Sequence, residues 1–173
     1  DWCYKTEADE TMNNRSIRYP RGKTLGGSSA INGLLYIRGQ SRDYDVWRQL
    51  GNTGWGWDDV LPYFIKAENQ ERGKNEYHGV GGPLSVSDQR IKLPLLNEFQ
   101  NAAEEFGIPK TRDFNTGDNY GCGYFQVTEK DGFRCSTAVG YLNPIKKRNN
   151  LKIITNAHVK KINFENKIAK SVE

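Results

Sequence analysis

The chain has 173 residues, 36% of them hydrophobic and 12% aromatic, with a formal net charge of +4. That length encloses one core and buries roughly 70% of the extended surface. The charge is mild, and the basic clusters Lys146-Lys147-Arg148 and Lys160-Lys161 lack an interleaved aromatic stripe, which argues against a nucleic-acid site. No window holds enough consecutive apolar residues to span a membrane.

Residues 20–36 place Gly26, Gly27, Ser28, Ser29 and Asn32 between a basic approach and an apolar exit. Two residues without a Cβ let the main chain lie close against a neighbour and adopt positive φ. The two hydroxyls can cap the turn that follows, leaving N–H groups that suit an anion. On composition, the segment reads equally as a glycine turn into a buried stretch or as a ligand cradle. Residues 42–50 are predicted as a helix with Tyr44, Val46, Trp47 and Leu50 on one face. A turn-rich stretch, 51–57, precedes a second helix. Asp58 or Asp59 caps it, Pro62 falls in its first turn, and Val60, Leu61, Phe64 and Ala67 form its apolar face.

Residues 69–83 are expected to be a polar, glycine-rich loop, and 84–86 a short strand. Residues 94–106 give the clearest amphipathic pattern, closed by Gly107 and Pro109. Residues 123–128 and 132–135 read as a hairpin around Lys130-Asp131-Gly132, and Ser136 opens a short helix. Three strands are expected in the tail, at 151–155, 159–164 and 168–172, the last two joined by Glu165-Asn166-Lys167. Helices and strands mix without a regular βαβ beat, so the predicted class is α/β or α+β.

The residues carry few chemical motifs. Gly79-Val80-Gly81 and Gly121-Cys122-Gly123 lack the third glycine of a dinucleotide fingerprint. Gly22-Lys23-Thr24 lacks the first glycine of a P-loop, Ile17 standing in its place. Cys3, Cys122 and Cys135 have no metal spacing, and with two histidines a zinc site lacks ligands. Free thiols in a reducing compartment follow, so the expected location is cytoplasmic. His78 titrates in a range useful to a general base, but it reads as a residue of a surface loop. The pairs Asp58-Asp59 and Glu104-Glu105 are adjacent and point apart, as cap and surface charge. The chain starts on Asp1 and stops on Glu173 in an apparent strand, so it is expected to be an internal piece of a longer protein.

Gly22, Lys23, Leu25, Gly26, Gly27, Ser28, Ser29, Ile31, Asn32, Tyr36, Gly39 and Asp45 together resemble the first signature of the glucose-methanol-choline (GMC) flavin oxidoreductases. The likeness continues through Trp55-Gly56-Trp57, Tyr77-His78-Gly79, Gly82-Pro83-Leu84 and Arg134-Cys135-Ser136-Thr137-Ala138, and looks most like the choline and alcohol dehydrogenase branch. The resemblance implies that residues 1–173 are part of an FAD-binding domain, with segment 20–45 as its signature. It implies FAD contacts from Thr24, Ser28, Asn32, Gly33, Leu34 and Leu35, with Gly26 and Gly27 letting the chain pass the cofactor. Val159 is implied against the adenine end, although its residue type alone reads as strand core.

Ile31 stands where some relatives carry a flavin-linking His, which implies noncovalent FAD. The family's catalytic His falls beyond residue 173, so no catalytic residue is assigned here. The implied activity is oxidation of choline or another primary alcohol, with an unspecified electron acceptor. An oxidase or lyase of the same family, or a noncatalytic module binding a phosphate or a partner, stands as the alternative.

Overall fold

Short ladders, rather than one large sheet, organise the chain. The computed structural model describes residues 1–173, in two compact units, Asp1–Asn143 and Pro144–Glu173. The first unit opens with an antiparallel pair that had no clear sequence signal, β1 (Tyr4–Lys5) and β2 (Arg18–Tyr19). A one-turn 3-10 helix, Gly27–Ala30, leads to β3 (Leu35–Tyr36).

Two helices follow as expected. α1 (Ser41–Gln49) starts where the Asp43 carboxylate accepts the Gln40 N–H at 2.8 Å. α2 (Trp57–Ala67) starts where Asp59 accepts the Gly56 N–H at 3.0 Å, a carboxylate at a favourable helix end. Pro62 lies inside α2 rather than in its first turn. Tyr44 is the hinge of their packing, its ring 5.4 Å from Trp47, 5.7 Å from Trp57 and 5.8 Å from Phe64. Asp45 adds a polar tie by accepting the Trp57 N–H at 3.2 Å.

The expected loop 69–83 begins with a strand instead. β4 (Glu68–Gln70) pairs in parallel with β5 (Leu84–Val86). The strand was not visible because Glu68 and Gln70 turn into a polar interior, so no apolar alternation marks it. α3 (Pro94–Glu105) forms where predicted, yet Leu95, Phe99 and the following Phe106 are exposed, at 78%, 66% and 86%.

Residues 123–135 do not make one long hairpin. β6 (Gln126–Val127) pairs with β3, with Tyr36 opposite Gln126 and Leu35 opposite Val127. Only β7 (Glu129–Lys130) and β8 (Phe133–Arg134) form the hairpin, around Asp131 and Gly132 at positive φ. The short helix after Ser136 is a π-helical turn, Ala138–Leu142.

In the second unit β9 (Ile162–Glu165) and β10 (Ile168–Val172) are antiparallel. Asn166 and Lys167 both take positive φ between them, as a twist-matched two-residue turn requires. Residues 151–155 have strand composition but form no ladder, and the strand expected from Val159 starts at Ile162.

Candidate functional site

The signature segment divides into two halves with different tasks. Residues 22–35 form an outward-facing turn. Gly22 lies so close beneath it that a Cβ there would stand 2.1 Å from the Gly27 carbonyl oxygen, and its N–H donates to Ser28 Oγ at 3.2 Å. Gly27 N–H closes the turn on Thr24 O at 2.9 Å. Gly26 (φ 89°) faces protein: a Cβ there would lie 3.2 Å from Ala138. Gly27 (φ 53°) and Gly33 face open space, with no atom within 4 Å of an added Cβ. The two glycines therefore differ, Gly26 permitting internal packing and Gly27 keeping an outer surface clear.

The turn is bolted to residues 134–138 by side-chain hydrogen bonds between the two segments. Ser29 Oγ donates to Gly26 O and accepts the Thr137 N–H at 3.0 Å. Thr137 Oγ1 donates to the same Gly26 oxygen at 3.2 Å. Arg134 Nη1 reaches Ser29 O at 3.1 Å and Asn32 Oδ1 at 2.6 Å. Asn32 Oδ1 also accepts the Leu34 N–H at 3.1 Å, holding Leu34 at φ 68°. In the sequence these bolts show only as members of the signature and of the Arg134–Ala138 motif.

Outward, Thr24, Ser28, Asn32, Gly33 and Leu35 are exposed and Leu34 is half-buried. The N–H groups of Ser28 and Gly33 have no acceptor in the chain. The arrangement offers backbone donors beside apolar Leu34 and Leu35 on a surface a Cβ would fill. It brings together eight of the predicted site residues, Thr24, Gly26, Gly27, Ser28, Asn32, Gly33, Leu34 and Leu35. Val159 is in the second unit, exposed, in the approach to β9 rather than within it.

The second half of the signature turns inward. Tyr36 Oη accepts from Arg38 Nε at 3.2 Å, Gly39 N–H donates to Tyr44 Oη at 3.1 Å, and Asp45 ties α1 to α2. Beneath β3 lies a buried polar cluster. Arg38 Nη2 meets Glu68 Oε2 at 3.0 Å, with both side chains almost wholly buried. Burial also lifts the Tyr36 hydroxyl above its usual range, with nearby Arg38 opposing. His78, expected on a surface loop, is 2% exposed. Its Nδ1 lies 2.9 Å from Glu68 Oε2 and its Nε2 2.7 Å from Asp113 Oδ2. Burial opposes the imidazolium charge, but hydrogen bonds to Asp113 and Glu68 and their negative charges win, raising His78 to about 9. A histidine so held is protonated near neutrality and does not serve as a base.

Gln70 completes the cluster. Its amide donates to Glu68 Oε1 at 3.1 Å and Gln126 Oε1 at 2.9 Å, and Gln126 returns a bond at 2.8 Å. The second Gln126 donor goes to Asp88 Oδ1 at 2.8 Å. No group of three His, Cys, Asp or Glu side chains is placed to hold a metal ion, and no helix is long and apolar enough to cross a membrane.

Comparison with known proteins gives the turn a context. The GMC oxidoreductase family profile matches residues 5–173. The chain is 43% identical over 173 residues to an alcohol dehydrogenase [acceptor] of Pseudomonas putida, covering 99% of this chain and 31% of the relative. It is 42% identical to an oxygen-dependent choline dehydrogenase of Vibrio vulnificus, with the same coverage. It thus spans about a third of the length of these relatives. Pyridoxine 4-oxidase from Mesorbium loti superposes with a TM-score of 0.91 at 32% identity, over 99% of this chain and 34% of that one. An FAD-dependent oxidoreductase from Chaetomium thermophilum superposes at 0.88 with 29% identity, over 98% of this chain and 31% of that one. The chain belongs to the GMC oxidoreductase family.

Proposed function

We propose that this chain is the cofactor-cradle portion of an FAD-dependent oxidoreductase that oxidises choline or another small primary alcohol. The observation that carries the reading is the open surface over Gly27 and Gly33, with unengaged Ser28 and Gly33 N–H groups beside it. FAD fits such a surface: its oxygens take backbone donors, and its flat rings suit Leu34 and Leu35. Thr24, Ser28 and Asn32–Leu35 would hold it. When bound, the flavin supplies the hydride acceptor. Ser29, Arg134 and Thr137 keep the turn fixed, so that the contacts are formed before the ligand arrives. Ile31 offers no nucleophile, so the flavin is held noncovalently.

The base that takes the hydroxyl proton is assigned to the part of the protein outside this chain, because His78 is locked between two carboxylates. The three unpaired cysteines suit a reducing compartment, and a cytoplasmic location is part of the proposal.

The test compares full-length wild-type protein with Gly27→Val. The wild type purifies yellow, transfers electrons from choline or a simple primary alcohol to a dye, and releases its flavin on acid precipitation. Gly27→Val places a β-branched side chain at φ 53° on the open face and purifies without flavin. A normal flavin-to-protein ratio in the variant overturns the cradle, and flavin retained in the acid pellet overturns the noncovalent assignment. A relative named as an oxidase favours oxygen as a second possible acceptor. Oxygen consumption measured beside dye reduction separates the two.

A further inference from the structure

The buried cluster beneath β3 grips that strand from three sides. Past its end, the Arg38 N–H donates to Asn115 Oδ1 at 2.7 Å and the guanidinium reaches Glu68 and Tyr77 O. Within it, Tyr36 O accepts from Asn115 Nδ2 at 3.4 Å. Across the ladder, the Tyr36 partner Gln126 exchanges two amide bonds with Gln70, which holds Glu68. Asp113 accepts the Asn115 N–H at 2.8 Å on its other oxygen. His78 joins Glu68 on β4 directly to this 113–115 turn, one ring nitrogen to each carboxylate.

We propose that His78 is a positioning residue for the flavin: as the doubly donating imidazolium it fixes β3, and thereby Asn32–Leu35, at the height the cofactor requires. The inference rests on the cradle reading of residues 32–35.

Charge balance and the two short carboxylate contacts both favour the imidazolium. Arg38 and His78 supply two positive charges, and Glu68 and Asp113 two negative ones, so the cluster is neutral only with His78 protonated. A neutral imidazole has one N–H and leaves one carboxylate without its donor. Gln70 Nε2 also lies 3.3 Å from His78 Nδ1, but its two hydrogens have the closer acceptors Gln126 Oε1 at 2.9 Å and Glu68 Oε1 at 3.1 Å. The charged groups facing His78 are Glu68 from β4 and Asp113 from the 113–115 turn, with the Gln70 amide beside Nδ1; Arg38 lies behind Glu68, on its Oε2. Asp88 and Arg72 pair with each other beyond the two glutamines. A partly unsatisfied buried network rearranges rather than persists.

The experiment measures flavin retained by full-length protein after desalting, from neutral to strongly alkaline pH. Wild-type retention is expected to fall several-fold in a one-proton step near pH 9. Asp113→Asn removes one carboxylate charge from a side chain only partly buried, and the step moves down by roughly one unit. His78→Gln holds flavin more weakly than wild type at every pH and shows no step. A flat wild-type profile, or an unmoved step in Asp113→Asn, overturns the positioning role while leaving the cradle intact. Wild-type protein without flavin at neutral pH overturns the cradle and this inference together. If His78→Gln does not fold, Asp113→Asn decides alone.

Discussion

A carboxylate with no solvent exposure is tolerated only when its lone pairs are used, and Glu68 uses them fully. It accepts from Arg38, Gln70, His78 and the Gly79 N–H. Gly79 can deliver that N–H because it has no Cβ, which would stand 1.9 Å from Ile65 O. Glu68→Ala strands Arg38 and His78 as buried cations without their partner. It should destabilise the protein by about 3–5 kcal/mol, measured in the full-length chain by denaturant unfolding. Unchanged stability would remove the cluster from the account of the fold. The pH dependence has a fixed sign. Because His78 is raised from 6.5 to about 9, its stabilisation is complete below 6.5 and disappears as pH rises through 9. Asp113 is the reverse case: burial opposes its charge, but its bonds to His78 and Asn115 lower its value, so its share is lost in acid. None of this was readable around His78, whose sequence neighbours Asn75, Glu76 and Gly79 resemble a solvated loop. Its partners come from positions 68, 70 and 113, and burial by residues outside the loop leaves no local pattern.

At the scale of elements, the turn over residues 22–35 depends on one close approach more than on any side chain. Gly22 sits under the Gly27 carbonyl, and a methyl there forces the turn outward. Gly22→Ala is expected to lower the flavin content of full-length protein severalfold while its far-ultraviolet dichroism stays as in the wild type. Normal flavin content would mean that the turn shifts freely and is not a preformed cradle. The signature itself was legible, and so were α1, α2, α3, β5 and the β9–β10 turn, because each carries its own periodicity or turn residues. The pairing of β3 with β6 was not, since Leu35 meets Val127 across a long stretch of chain and each strand is two residues long. β4 escaped for a different reason: its buried side chains are polar. The Arg134, Thr137 and Ser29 bolts belong to motifs that were recognised, but only three-dimensional contact shows that they hold each other.

At the scale of the whole chain, the interior is unusual in being mostly polar. Buried side chains include Arg38, Glu68, Gln70, His78, Asn115 and Gln126, against only Tyr44, Val86, Phe114, Val127 and Cys135 among the hydrophobic ones. Meanwhile α3 presents Leu95 and Phe99, and β9 and β10 present Phe164 and Val172, all more than half exposed. Such apolar surface weakens the hydrophobic contribution to stability and favours association. Residues 1–173 expressed alone should therefore bind a hydrophobic dye strongly and unfold without a sharp transition. They should also fail to oxidise choline or simple primary alcohols when mixed with FAD. The reason is chemical as well as structural: one of the two histidines, His78, is held as a hydrogen-bond donor to two carboxylates and takes no proton near neutrality. Loss of a positioned general base alone lowers a rate by about 100- to 10,000-fold. Dye reduction by the isolated segment above a free-flavin blank, with either alcohol, would place the base within these residues and overturn its assignment to the remainder of the protein.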